Sequence, residues 1–280
     1  MDGDKRSGVD GLQHLRCGNT LTGIFLRKDI FKGSLKGVFL AILSLFISVK
    51  GVHGEESQHL RVGDVILIEL NCYSCRAISQ STASRYHHSG LVVEVPSRHA
   101  FSGGTPESES SVSTIRIAQS LSKVEVISLS KFLAQAKSGS FVAHLRPREL
   151  ESDYSLNREV FDEKTATMVQ TFREQFVGKP FDPAFLWDNV SPQGEELLYC
   201  SEMIQKTLNT VLETKLKTVS MDFSQGYDFW NTYFNGHVPQ GKEGNSPASL
   251  YRAEEVAVVQ EGLLTDMHPF RLMVSPPRSF

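Results

Sequence analysis

Leu198-Tyr199-Cys200-Ser201-Glu202-Met203 is the stretch on which the reading of this chain turns. It follows a polar loop, Ser191-Pro192-Gln193-Gly194-Glu195-Glu196, and opens a segment that reads as a helix through about Lys215. A thiol in the first turn of a helix meets unpaired backbone N–H groups and the positive end of the macrodipole. Both favour thiolate, which is the nucleophilic form. Most free cysteines are small buried apolar residues, so Cys200 needs a base before its position implies chemistry.

His88 is the candidate base. It begins a strand, Ser89-Gly-Leu-Val-Val-Glu-Val95, which Pro96 stops. Gly90 lies two residues on and on the same face, leaving room for a substrate or another backbone. His87 competes with it, but adjacent strand residues point to opposite faces. Only one of the two histidines can therefore face Cys200.

The rest of the chain frames this pair. At 280 residues and a formal charge of -3, it can bury a sizeable core and lacks the basic excess of a nucleic-acid partner. Residues 1–36 are polar and basic and read as a disordered leader. Gly37 to Val49 is an uninterrupted apolar run behind Arg27, Lys28, Lys32 and Lys36. It is short for a bilayer span and suits a signal-peptide core. Val52-His53-Gly54 before Glu55 offers a cleavage site. Residues 37–54 are thus expected to be a signal peptide or membrane anchor, with the bulk of the protein exported, either periplasmic or secreted, and with the run as its point of membrane association.

From Gln58 the pattern is that of a folded domain, expected over 55–260, with 261–280 as an extension. Strands read at Val65–Leu70, Ser89–Val95, Thr114–Ala118, Val124–Leu129 and Phe141–Leu145. Helices read at Ser130–Lys137 and Arg158–Val177, where Val160, Phe161, Met168, Val169, Phe172 and Phe176 keep helical spacing before Gly178. Phe223–Phe234 is short-helical and aromatic. Residues 102–113 read as a loose insertion. The class is α+β, a small antiparallel sheet packed with helices.

At this point the sequence resembles the YiiX-like group of the NlpC-type papain-fold superfamily, in which the fold is circularly permuted and the histidine precedes the cysteine. Gly63-Asp64-Val65-Ile66 matches the opening of that pattern. Ser84-Arg-Tyr-His-His88-Ser-Gly90-Leu-Val matches its histidine strand, and Gly178-Lys-Pro-Phe-Asp182 its middle landmark. Tyr199-Cys200-Ser201-Glu202 matches its cysteine signature, and Ser246-Pro247-Ala-Ser-Leu250 its late segment. The resemblance implies Cys200 as nucleophile, His88 as base and acyl-transfer chemistry on an amide or ester. A family member usually orients its histidine with a glutamate on the next strand. Here Thr114–Gln119 carries no carboxylate, so Gln119 or His99 is the expected third member. Glu94 shares the face of His88 but stands about 20 Å along the strand at about 3.3 Å per residue. Tyr199 and Ser84 are candidate substrate-binding residues, and Asp182 is expected to pack the loop ahead of Cys200.

Cys72-x-x-Cys75 with His87, His88 and His99 contains zinc-type ligands, but the histidines are adjacent and no second knuckle exists. The two cysteines otherwise form a short-loop disulfide or stay free, and no metal or cofactor is expected. The expected function is an exported thiol hydrolase that cleaves an amide, such as one in a cell-wall peptide, through Cys200 and His88. The alternatives are a lipid-directed thiol acyltransferase or esterase, or an inactive binding module of the same fold. The partner is a peptide or an acyl-bearing small substrate. A peptide predicts a polar open cleft, and a lipid an apolar tunnel ending at Cys200.

Overall fold

The computed structural model of the chain describes residues 59–96 and 114–264. The leader, the apolar run at 37–49, His99, the 102–113 insertion and all but the start of the extension lie outside the described residues. Among the described residues, no helix is long and apolar enough to cross a membrane.

Val65-Ile-Leu-Ile68 forms strand β1, and all four side chains are buried. A strand apolar on both faces needs cover on both. It sits inside a six-stranded antiparallel sheet of order β4-β3-β2-β1-β5-β8. The others are β2 (His88–Glu94), β3 (Arg116–Ser120), β4 (Val124–Ser128), β5 (Phe141–Pro147) and β8 (Val256–Leu263). A separate two-stranded ribbon pairs β6 (Val219–Ser220) with β7 (Glu243–Gly244). Seven helices complete the described residues: α1 (Cys75–Thr82), α2 (Leu129–Ala134), α3 (Arg148–Leu156), α4 (Arg158–Gln175), α5 (Cys200–Leu208), α6 (Tyr227–Tyr233) and α7 (Pro247–Arg252).

One sheet face packs Val65, Leu67 and Leu91 against Phe172 of α4 and Met203 and Ile204 of α5. The other packs Ile66, Ile68, Val92 and Ile117 against Phe132 and Leu133 of α2. The two faces alternate along β1, as the two-residue period of a strand requires. A buried carboxylate pins the entry to this sheet. Asp64 accepts from the Arg61 N–H at 2.8 Å, from His144 Nε2 at 2.7 Å and from Arg146 Nε at 2.7 Å. Burial alone would raise its pKa, but His144 and Arg146 outweigh that and hold the carboxyl below its ordinary value.

Three expectations need correction. The Cys200 helix stops at Leu208 rather than about Lys215. Asn209 bonds Leu216 through both its side-chain atoms, and Glu149 captures the Glu213 and Thr214 N–H groups, so those amides leave the helical ladder. Helix α3 had no counterpart in the sequence reading, although Pro147 at its N-cap with Glu149 and Glu151 in its first turn is a start signal. The space at Gly90 is not open. A Cβ there would lie 2.4 Å from Ile117 and 2.8 Å from the Phe132 ring, so the glycine admits core side chains and no substrate.

Gly90→Ala is therefore expected to overpack the core and lower stability by about 1–3 kcal/mol. Urea unfolding of the two proteins measures this, and an unchanged midpoint would contradict the close approach.

Candidate active site

Cys200 is the first residue of α5, whose N-cap, Tyr199, makes no side-chain capping bond. The opening N–H groups of the helix therefore lack intrahelical acceptors. The loop before it is held on several sides. Ser120 Oγ donates to Leu198 O at 2.6 Å, and Leu198 N–H donates to Pro180 O at 3.0 Å. Asp182, fully buried, accepts from the Ala184 and Leu186 N–H groups and from Asn189 Nδ2. Its place is the packing of this loop, as its position in sequence suggests. Lys206, one turn and a half into α5, pairs with Glu202, Glu196 and Asp188 and ties that loop to the helix. Glu202 lies under this network, and burial pushes its carboxyl up to about 7 despite Lys206.

Helix α5 packs against β2 and β3, which brings Cys200 to the start of β2. There His88 and Cys200 are hydrogen-bonded, and each changes the other's proton affinity. Burial favours the neutral forms of both. The mutual attraction overcomes it, so the imidazole sits above its ordinary value and the thiol below. Ser89 adds to the lowering at the sulfur. The arrangement favours a thiolate–imidazolium pair.

The outer side of the imidazole is also occupied. His88 Nε2 stands 2.9 Å from Gln119 Oε1. Gln119 Nε2 in turn donates to Glu125 Oε1 at 3.0 Å. Gln119 on β3 and Glu125 on β4 are direct cross-strand partners. The carboxylate accepts only, so it fixes which end of the amide is the nitrogen and leaves the oxygen for the ring N–H. Glu125 was not among the residues singled out from sequence, because only the register of the β3–β4 hairpin reveals it.

Of the other candidates, His99 lies outside the described residues. Tyr199 borders a cavity with Cys200, and its hydroxyl accepts the Asn245 N–H at 2.9 Å. Ser84 borders a different groove, with Arg85, Tyr86 and Glu261, so it does not join Cys200. His87 takes no place at the sulfur. It accepts the Leu70 N–H on Nδ1 and bonds Ser79 through Nε2, and burial lowers its pKa. Glu94 pairs with Arg173 at 3.7 Å. Cys72 and Cys75 are joined in a disulfide, which removes both sulfurs from the zinc set. Among the described residues, no group of three His, Cys, Asp or Glu side chains could hold a metal ion.

The cavity bordered by Cys200 has a volume of about 620 Å³. Its walls come from α1, the Phe185 loop, the β6–β7 ribbon, α6 and α7.

A family model described as "Permuted papain-like amidase enzyme, YaeF/YiiX, C92 family" matches residues 59–260. The fold is shared with the crystal structure of the metalloprotein YiiX from Escherichia coli O157:H7. The TM-score is 0.54 at 18% identity, over 72% of this chain and 97% of that one. No curated protein matches the chain.

The hydrogen-bond chain from Cys200 to Glu125 predicts graded effects on the thiol. Gln119→Ala strips the acceptor from a buried imidazolium N–H, a loss of about 1–3 kcal/mol. At 1.36 kcal/mol per unit, the midpoint of Cys200 alkylation by iodoacetamide should move up by about one to two pH units. Glu125→Ala should move it the same way by less. A midpoint unmoved in both variants would mean that the amide does not support the ion pair.

Proposed function

The chain belongs to the permuted papain-like amidase family of YaeF and YiiX, and from that premise we propose that it is an exported thiol amidase. In this reading Cys200 is the nucleophile, His88 the base and acid, and Gln119 the residue that orients the imidazole. The observation that carries it is the buried Cys200–His88 bond at a helix start, with the thiol lowered and the imidazole raised.

The steps follow from where the proton sits. With the proton on His88, the Cys200 thiolate attacks the amide carbonyl carbon. The carbonyl π pair moves to oxygen, and the N–H groups that open α5 face the resulting oxyanion. The intermediate collapses to a thioester as His88 passes its proton to the departing amine. Water, deprotonated by His88, then attacks the thioester and expels the Cys200 thiolate. No metal or cofactor enters this cycle. Peptides of the cell wall are one class of amide that an exported enzyme would meet. The lipid-directed reading, an esterase or acyltransferase, draws support from the apolar lining of the cavity at Cys200.

Amide hydrolysis should follow a bell-shaped pH profile. The acid limb falls as the thiolate is protonated, below the ordinary thiol value of about 8.5. The alkaline limb falls as imidazolium is lost, above the ordinary imidazole value of about 6.5. Cys200→Ala should abolish turnover, and trapping with a slow acyl donor should leave a thioester on Cys200 detectable by mass spectrometry. His88→Ala should return alkylation of Cys200 to that of an ordinary thiol. Labelling unaffected by His88→Ala would remove the basis for the enzyme reading and favour an inactive binding module.

A further inference from the structure

We propose that the substrate's acyl arm is an apolar chain, housed in the cavity that Cys200 borders; this rests on the reading of Cys200 as nucleophile. In the thioester the amine has gone, and what stays bonded to sulfur is the acyl group. Cys200 is 7% exposed, so the space it borders must hold that group until water arrives.

The lining is sorted by depth. Phe223, Trp230 and Pro247 are buried, and Ile78, Phe185 and Met221 are half-buried. Lys217, Asp222, Arg252 and Glu254 are exposed, and Glu255 is half-buried. The charges thus lie toward solvent and the aromatic and aliphatic groups lie within. Phe223 and Trp230 belong to a small apolar cluster of their own, with Phe185 and Met221 packed on it. The Phe185 ring meets Trp230 edge-on with centroids 6.3 Å apart. Its backbone is left-handed, with φ 52°, a conformation that costs a non-glycine residue about 1–3 kcal/mol. The Asp182 carboxylate, bonded to the N–H groups on either side, holds it there.

Polar groups without partners appear beside the sulfur. Ser201 Oγ and Asn245 Oδ1 are buried and have no hydrogen-bond partner among the described residues, and both residues border the cavity. Asn245 is tied to the helix by Nδ2, which donates to Ser201 O at 2.9 Å and to Gln205 Oε1 at 2.7 Å. A polar spot next to Cys200 and an apolar space beyond it match an amide head on a hydrocarbon chain. A peptide arm would instead lay its backbone amides against Phe185, Phe223 and Trp230, where they would lose water without replacement.

N-alkyl iodoacetamides test this without knowledge of the natural amide. The thiolate displaces iodide, the C–S bond forms as the C–I bond breaks, and only the alkyl length varies among methyl, butyl and octyl. Rates at Cys200, located by mass spectrometry and divided by those of glutathione, should rise by up to about fourfold per methylene that the cavity buries. The octyl reagent should also saturate. Val219→Trp, at an exposed position on the rim, should shrink the gain with chain length. An octyl rate no higher than the methyl rate, with methyl labelling still activated below pH 8, would overturn the apolar-arm proposal and leave the nucleophile reading intact. Methyl labelling at the rate of an ordinary thiol would overturn both.

Discussion

A thiolate inside a protein is expensive: an unpaired buried charge costs several kcal/mol, and the usual outcome is that the group stays neutral. At Cys200 that cost is met by an arrangement in which every part serves the ionic form. The imidazolium of His88 supplies the countercharge, Ser89 adds to the lowering, and the start of α5 supplies the positive end of a dipole. The countercharge carries its own cost, because His88 is 1% exposed. Gln119 Oε1 meets the ring at 2.9 Å, and Glu125 keeps the amide turned that way. The charge state of one sulfur thus depends on the register of three strands.

That dependence explains the weight of bonding around the loop that delivers Cys200. The N-terminus of a helix helps an anion only within its first turn, so a shift of one residue at the start of α5 would move the sulfur away from both dipole and imidazole. Asp182 holds the turn at 184–189, Ser120 ties Leu198 to β3, and Lys206 links the helix to Glu196 and Asp188. These residues touch no reacting group. They fix where the helix begins, and the chemistry assigned to Cys200 follows from that.

The α+β class, the antiparallel sheet and the order of landmarks could be read from the chain because they are written in local pattern. The apolar run Val65–Ile68, the helical spacing over 158–175 and the polar loop before Cys200 are such patterns. The meeting of Cys200, His88 and Gln119 could also be read, since the permuted pattern places all three. Glu125 could not. Its carboxylate reaches Gln119 only because the turn after Ser120 sets Gln119 opposite Glu125, and a slip of one residue would send it to the other face. Gly90 misled for a similar reason, because vacancy at a glycine is visible in sequence while its filling by Ile117 and Phe132 is not. The early end of α5 was hidden because its cause, Glu149, lies on a helix some fifty residues upstream.

The cavity was the least legible feature, and it bears most on what the protein acts upon. Its walls are drawn from α1, the loop of Phe185, the β6–β7 ribbon, α6 and α7, segments whose apolar residues read individually as core. They act as core for one another: Trp230 packs on Phe223 with ring centroids 5.1 Å apart, and its indole N–H donates to Ser81 at 2.7 Å. Such packing gives the walls rigidity independent of any ligand. A rigid apolar space is poorly hydrated, so a hydrocarbon that enters it gains by leaving water and orders little of the protein. The family match fixes an amidase scaffold, and the sheet places the thiol. Selection among amides falls to the walls, which a single-residue change can alter without touching the ion pair.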